Sequence, residues 1–185
     1  MSLKRLTSLI DPLVIGLGLI ILGLDQLAKY LVVQEIGSSA TRHSISVLGD
    51  YVRLAYTTNT GAVFGIFHGG VGILAVVSLV AVPIIIFSRA FFPSDSLFVR
   101  VCLGLLLGGD LGNMADRWMR GYVVDFVDVG IGGLRWYTFN IADACFVVGV
   151  IGLVFAMLFL SDDQAPETNA EGGGAEATGE APRPS

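Results

Sequence analysis

Charge is scarce in this chain. Only 15% of its residues are Asp, Glu, Lys or Arg, while 54% are hydrophobic; an ordinary soluble domain is about a quarter charged. Cysteine is nearly absent: Cys102 and Cys145 both sit in apolar runs, where a thiol acts as a small packing residue rather than half of a disulfide or a metal pair. No CxxC, HExxH or Walker-type loop occurs, so the usual zinc and nucleotide-phosphate signatures are excluded. His43 and His68 lie far apart and outside the apolar runs, as polar surface residues do. No metal or organic cofactor is expected, and no nucleic-acid partner. The net charge of −5 arises entirely from the C-terminal stretch, where six acids (Asp162, Asp163, Glu167, Glu171, Glu176 and Glu180) face Arg183 alone. That segment, rich in Gly, Ala, Pro and Glu, has too little apolar content to offset its ordering entropy. We expect residues 162–185 to be a disordered tail without a catalytic role, and residues 1–161 to form one membrane domain.

Long apolar runs are what this chain has in quantity. A bilayer core needs about 20 residues of helix, and four segments meet that length: roughly 13–33, 71–88, 97–116 and 139–160. The second contains Pro83, which a membrane helix tolerates through local adjustment. The first is too long for the apolar region of a cleaved signal peptide and carries Asp25, Gln26 and Lys29, so a retained anchor is expected.

The connections after the first and third spans are longer and of another kind. Val52, Leu54 and Tyr56 alternate with Arg53, Ala55 and Thr57, the period of a half-buried strand. Residues 121–137 resemble this stretch, with β-branched and aromatic residues around a turn at Gly130-Ile131-Gly132-Gly133. Both connections follow odd-numbered spans and therefore share one side of the membrane, where a small antiparallel platform is expected. Positive-residue counting does not separate the two sides; the Lys4-Arg5 start favours both termini inside. The fold class is thus an all-α integral membrane protein of four helices with a small extracytoplasmic β-cradle.

Against this apolar background the acids stand out. A charge in the membrane costs at least about 2.5 kcal/mol and marks a functional-site hypothesis. Asp25 and Lys29, spaced i, i+4, can neutralise each other on one helix wall, and Gln26 extends that polar patch. On the third span, Asp110, Asn113 and Arg117 share a face that must look into the bundle or a wet cavity. Asp116 lies beside that face, within reach of Arg117 or Asn113. Asp125 in YVVDF and Asp143 in FNIAD are each lone acids in apolar surroundings. Two such acids brought together share a proton, one ionised to activate water and the other protonated to donate to a carbonyl oxygen. Spacing alone leaves Asp116/Asp143 open as a competing pair, with Asp128 a further neighbour.

The blocks DQLAK at 25–29, NTGAVFG at 59–65, GNMADR at 112–117 with VVDF at 123–126, and FNIAD at 139–143 resemble those of the lipoprotein signal peptidases (signal peptidase II), the bacterial intramembrane aspartyl proteases. Each block alone is weak; their order relative to four spans is specific. The resemblance implies four membrane helices, cytoplasmic termini and location in the bacterial inner membrane. It also implies cleavage of diacylglyceryl-modified prolipoproteins just before the lipid-modified cysteine. By motif, Asp125 and Asp143 correspond to the catalytic aspartates. Asn59, Gly61, Asn113, Asp116, Arg117 and Asn140 correspond to residues that bind substrate or brace the site, and Asp25 with Lys29 to a structural polar pair. Lipidated prolipoproteins and membrane phospholipid are the partners implied, and a monomer is expected. Three departures stand out: Asp110 replaces the usual small residue, WYTFN lacks the proline that usually precedes FN, and the acidic tail is foreign to the pattern.

A proton-coupled transporter using its membrane acids as relays is the rival from another class. Four spans without an inverted repeat weigh against it. A non-catalytic lipid-binding scaffold, with the acids as structural glue, is the second rival.

Overall fold

In the computed structural model, which describes residues 11–37, 44–61, 71–88 and 96–159, four helices carry a small sheet at one end. The helices are α1 (Pro12–Val32), α2 (Val71–Ser88), α3 (Leu97–Arg120) and α4 (Ile141–Phe159). The strands are β1 (Ser44–Leu48), β2 (Val52–Asn59), β3 (Val123–Ile131) and β4 (Leu134–Arg135). All four helices are long and apolar enough to cross a membrane. The expected tail, His43, His68, Lys4, Arg5 and the second half of NTGAVFG lie outside the described residues.

Local signals set the helix ends. Asp11 caps α1 by accepting from the Leu13 amide at 2.9 Å, and Pro12 occupies the first helical position, where its missing N–H is harmless. Ser96 caps α3 in the same way. That helix stops at Gly121, whose φ of 75° is the left-handed conformation glycine supplies at little cost. The third helix therefore runs one turn beyond the expected end at residue 116, so Asp116 and Arg117 are helical residues rather than terminal ones. Past Val32, α1 continues as a π turn over Val33–Gly37.

The third helix is the hub. It packs against the other three helices and buries Val99, Leu103, Leu106 and Leu107 with Val14 of α1, Ile85 of α2 and Ala156 of α4. Leu19, Ile20, Ile73, Ile84, Ile151 and Leu158 instead point outward, as lipid-facing side chains must in a membrane. Small residues allow the helix axes to approach closely. A Cβ at Gly109 of α3 would lie 2.5 Å from the Ala142 carbonyl oxygen and 2.9 Å from Phe146 of α4, so only glycine fits that seam.

The sheet is an antiparallel meander in the order β1-β2-β3-β4. Its first strand was not anticipated: SISVL is short and mostly exposed, so it has almost no buried face to pattern. Thr57 of β2 pairs with Asp125 of β3, and Asn59 with Val123. Phe126 and Val127 donate to the Phe139 carbonyl, and Phe139 donates back to Val127. That exchange ties the 136–140 loop to β3 just where α4 begins. Val32 and Ile36 of α1 and its π turn meet Phe126 from below, with Ile45, Leu54 and Ile141 around them. The sheet is thereby seated on the bundle.

Candidate active site

Asn140 and Asp143 form a reciprocal helix cap. The Asn140 side chain accepts from the Asp143 amide at 2.8 Å, and the Asp143 carboxylate accepts from the Asn140 amide at 3.2 Å. This N-x-x-D arrangement satisfies two otherwise orphaned donors at the start of α4. It also fixes the rotamer of Asp143 before any substrate arrives. Asn113, on the facing wall of α3, donates to the other Asp143 oxygen at 2.8 Å.

Asp125 faces the same region from β3 and is 1% exposed. Asn140 donates to one carboxylate oxygen at 2.7 Å and Asn59 to the other at 3.0 Å. Asn59 is itself held by the Gly61 amide, which donates to its side-chain oxygen at 2.9 Å. Asn140 also donates to Asn113 at 3.1 Å, so one amide chain connects the Asp125 and Asp143 carboxylates. Burial pushes the Asp125 pKa up to about 7, and the charge of Asp143 adds to the rise. Hydrogen bonds from Asn59 and Asn140, and the Lys29 charge, oppose it. Near neutrality Asp125 therefore exchanges a proton readily, as a general acid or base must. Tyr137, raised by burial and by both acids, stands at the same site.

These groups line or adjoin a cavity of about 580 Å³ between α3, α4 and the sheet, walled by Asn59, Asn113, Arg117, Asp143, Tyr137 and Phe139 among others. Val147 and Val148 of α4 form part of its rim and are about half exposed on the outer apolar face, at 49% and 56%. The cavity thus opens sideways, toward the region a bilayer would fill. Arg117 feels the charges of Asp143, Asp110, Asp116 and Asp125.

Asp116 is elsewhere. The sequence placed it within reach of Arg117 or Asn113; instead it accepts from Lys29 at 2.9 Å, from the Val124 amide at 3.0 Å and from Gln26 at 3.2 Å, and pairs with Arg120. Lys29 also binds Asp25 at 2.7 Å, and all three of Asp25, Lys29 and Asp116 are fully buried. The competing pair Asp116/Asp143 is thereby removed, because both Asp116 oxygens are committed to this lock. The lock reaches the site through backbone amides. Asp25 accepts from Ala142 at 3.0 Å, the residue before Asp143, while Asp116 accepts from Val124, the residue before Asp125.

Arg120 was not foreseen as a member of the lock, and Gln26, expected to extend the Asp25–Lys29 patch, reaches further than that patch. Gln26 bridges Asp25, Asp116 and the Gly112 carbonyl, and Arg120 bonds both Gln26 and Asp116. The i, i+4 spacing of Asp116 and Arg120 was a usable signal, whereas the Gln26 contacts, with partners 86 and 90 residues away, were not. Asp128 lies away from the cavity, paired with Arg135 at 2.9 Å.

Comparison with known proteins gives the chain's relatives. The family model for signal peptidase (SPase) II matches residues 17–159. A lipoprotein signal peptidase of Moorella thermoacetica is 36% identical over 151 residues, spanning 82% of this chain and 96% of that protein. One of Desulfitobacterium hafniense is 34% identical over 150 residues, spanning 80% and 94%. A bacterial membrane enzyme solved by the in meso method at 2.3 Å superposes with a TM-score of 0.71 at 28% identity, covering 83% of this chain and 92% of the other.

Proposed function

Because this chain belongs to the signal peptidase II family and removes signal peptides from prolipoproteins, we propose that it does so as an aspartic endopeptidase with Asp125 and Asp143 as its acid pair. The observation that carries this reading is the joining of the two carboxylates through Asn140 and Asn113 beside one laterally open cavity.

The substrate's signal helix enters from the bilayer through the Val147–Val148 rim, bringing its scissile bond to the sheet end of the cavity. One acid, ionised, takes a proton from water as that water attacks the scissile carbonyl carbon. The other, protonated, hydrogen-bonds the carbonyl oxygen as charge develops there, and a proton then passes to the leaving amine. The pair titrates as a unit, so the roles belong to the pair rather than to either member. Asn59, Asn113 and Asn140 hold the carboxylates, and Arg117 offsets negative charge. Cleavage falls just before the diacylglyceryl-modified cysteine, whose acyl chains remain in lipid.

In this reading both termini are cytoplasmic, the sheet is extracytoplasmic and the protein sits in the bacterial inner membrane as a monomer. Impermeant thiol reagent added to intact spheroplasts should label Ser46→Cys on the sheet; protection there would reverse the orientation. The transporter alternative is not favoured. Purified protein in proteoliposomes should cleave a diacylglyceryl-modified prolipoprotein, and Asp125→Asn and Asp143→Asn should insert normally but not cleave. Substantial turnover by either variant would refute the acid pair.

A further inference from the structure

Asp110 is unused by the mechanism above. It is 8% exposed, and its Oδ2 is the one buried side-chain oxygen or nitrogen among the described residues without a hydrogen-bond partner. It also lines the cavity. Buried Ser78 of α2 faces the same carboxyl, and Arg117 acts on it through charge. A buried polar atom left unpaired is costly and is rare in native structures. One that borders the substrate cavity can be satisfied by the substrate.

Its position says which part of the substrate. Asp110 lies three residues before Asn113 on α3, one turn and about 4.5 Å farther from the sheet. Asn113 grips Asp143, so Asp110 lies about one turn deeper in the bundle than the acids. Near that depth the cavity wall is Phe146, Val147 and Val148 of α4, all apolar. A signal helix rising toward the acids presents, at this level, residues shortly before the cut.

Resting on the acid-pair reading, we propose that Asp110 is a specificity-determining residue. Its carboxyl hydrogen-bonds a hydroxyl side chain, Ser or Thr, within the four positions preceding the scissile bond. A hydroxyl both donates and accepts, so it satisfies a carboxyl in either protonation state. An aliphatic residue at that position leaves Oδ2 orphaned.

The test uses diacylglyceryl-modified prolipoproteins carrying a single Ser or Ala at each of those four positions, assayed in proteoliposomes for kcat/KM. Wild type should prefer Ser at one of them by about tenfold, the worth of one net hydrogen bond. Asp110→Ala should bring that ratio to about one, and Asp110→Asn should retain part of it. A ratio unchanged in Asp110→Ala overturns the proposal. So does the absence of any Ser preference in wild type, or inactivity of both Asp110 variants on every substrate despite normal thermal melting. Asp125→Asn, measured alongside, tests the acid pair separately: cleavage surviving there sinks that pair, whereas the Ser/Ala ratio bears only on Asp110.

Discussion

Two clusters of carboxylates lie close together in this small protein, and they differ in what surrounds them. In the lock, Asp25 and Asp116 meet two cations, Lys29 and Arg120, so four charges cancel. At the site, Asp125 and Asp143 hydrogen-bond the amides of Asn59, Asn113 and Asn140 and a backbone N–H. Neutral donors hold a carboxylate in place without fixing its charge; cations fix both. Identical side chains therefore serve as a fastener in one place and as a proton-exchanging pair in the other. The two are coupled, since the lock accepts from Ala142 and Val124, the neighbours of Asp143 and Asp125.

That contrast can be broken by substitution. Replacing Asp125 or Asp143 with Asn keeps the shape and one of the two oxygens that accept from neighbouring N–H groups, but removes proton exchange. We expect kcat to fall by at least about a hundredfold with the melting temperature in detergent little changed; a lowered melting temperature with retained kcat would erase the distinction between the clusters. Lys29→Met should do the reverse. It leaves buried Asp25 without a cation, while Asp116 keeps Arg120; breaking a buried pair in this way costs about 3–5 kcal/mol, and calorimetry should show that loss as a lower melting temperature. Adding Asp25→Asn to Lys29→Met should recover part of it.

Asn140→Ala straddles both roles. It removes a helix cap worth about 0.5–2 kcal/mol and a donor to Asp125, so stability and cleavage should both decline modestly when measured on one preparation. The smallest effect is expected from Asn59→Ala, read in the pH profile. Asn59 stabilises the ionised form of Asp125 and so lowers its pKa, which stands at about 7. Without that donor the pKa rises, the shared proton is retained to higher pH, and the alkaline fall in kcat/KM should move upward. A downward shift would mean that Asn59 acts on some other group.

Much of this was legible beforehand, for identifiable reasons. Long apolar runs dictated four spans because hydrocarbon admits little else, and the spans fell within a few residues of α1 to α4. The i, i+4 spacing of Asp25 and Lys29 announced their pair. The alternation in residues 52–57 announced β2, whereas β1 had no buried face to write into its sequence. The partners expected for Asp116, Arg117 or Asn113, were the wrong ones, because Lys29 and Gln26 reach it from another helix. Sequence spacing showed that Arg117 was adjacent, but not that Lys29 of α1 and the Val124 amide would arrive first.

Composition and local spacing determined that this chain carries four segments long and apolar enough to cross a membrane, and more acids than apolar surroundings tolerate idly. Only the tertiary structure decided which acids meet cations and which meet amides. That choice depends on groups up to 117 residues apart in sequence being brought within about 3 Å, a proximity set by how the helices and sheet pack.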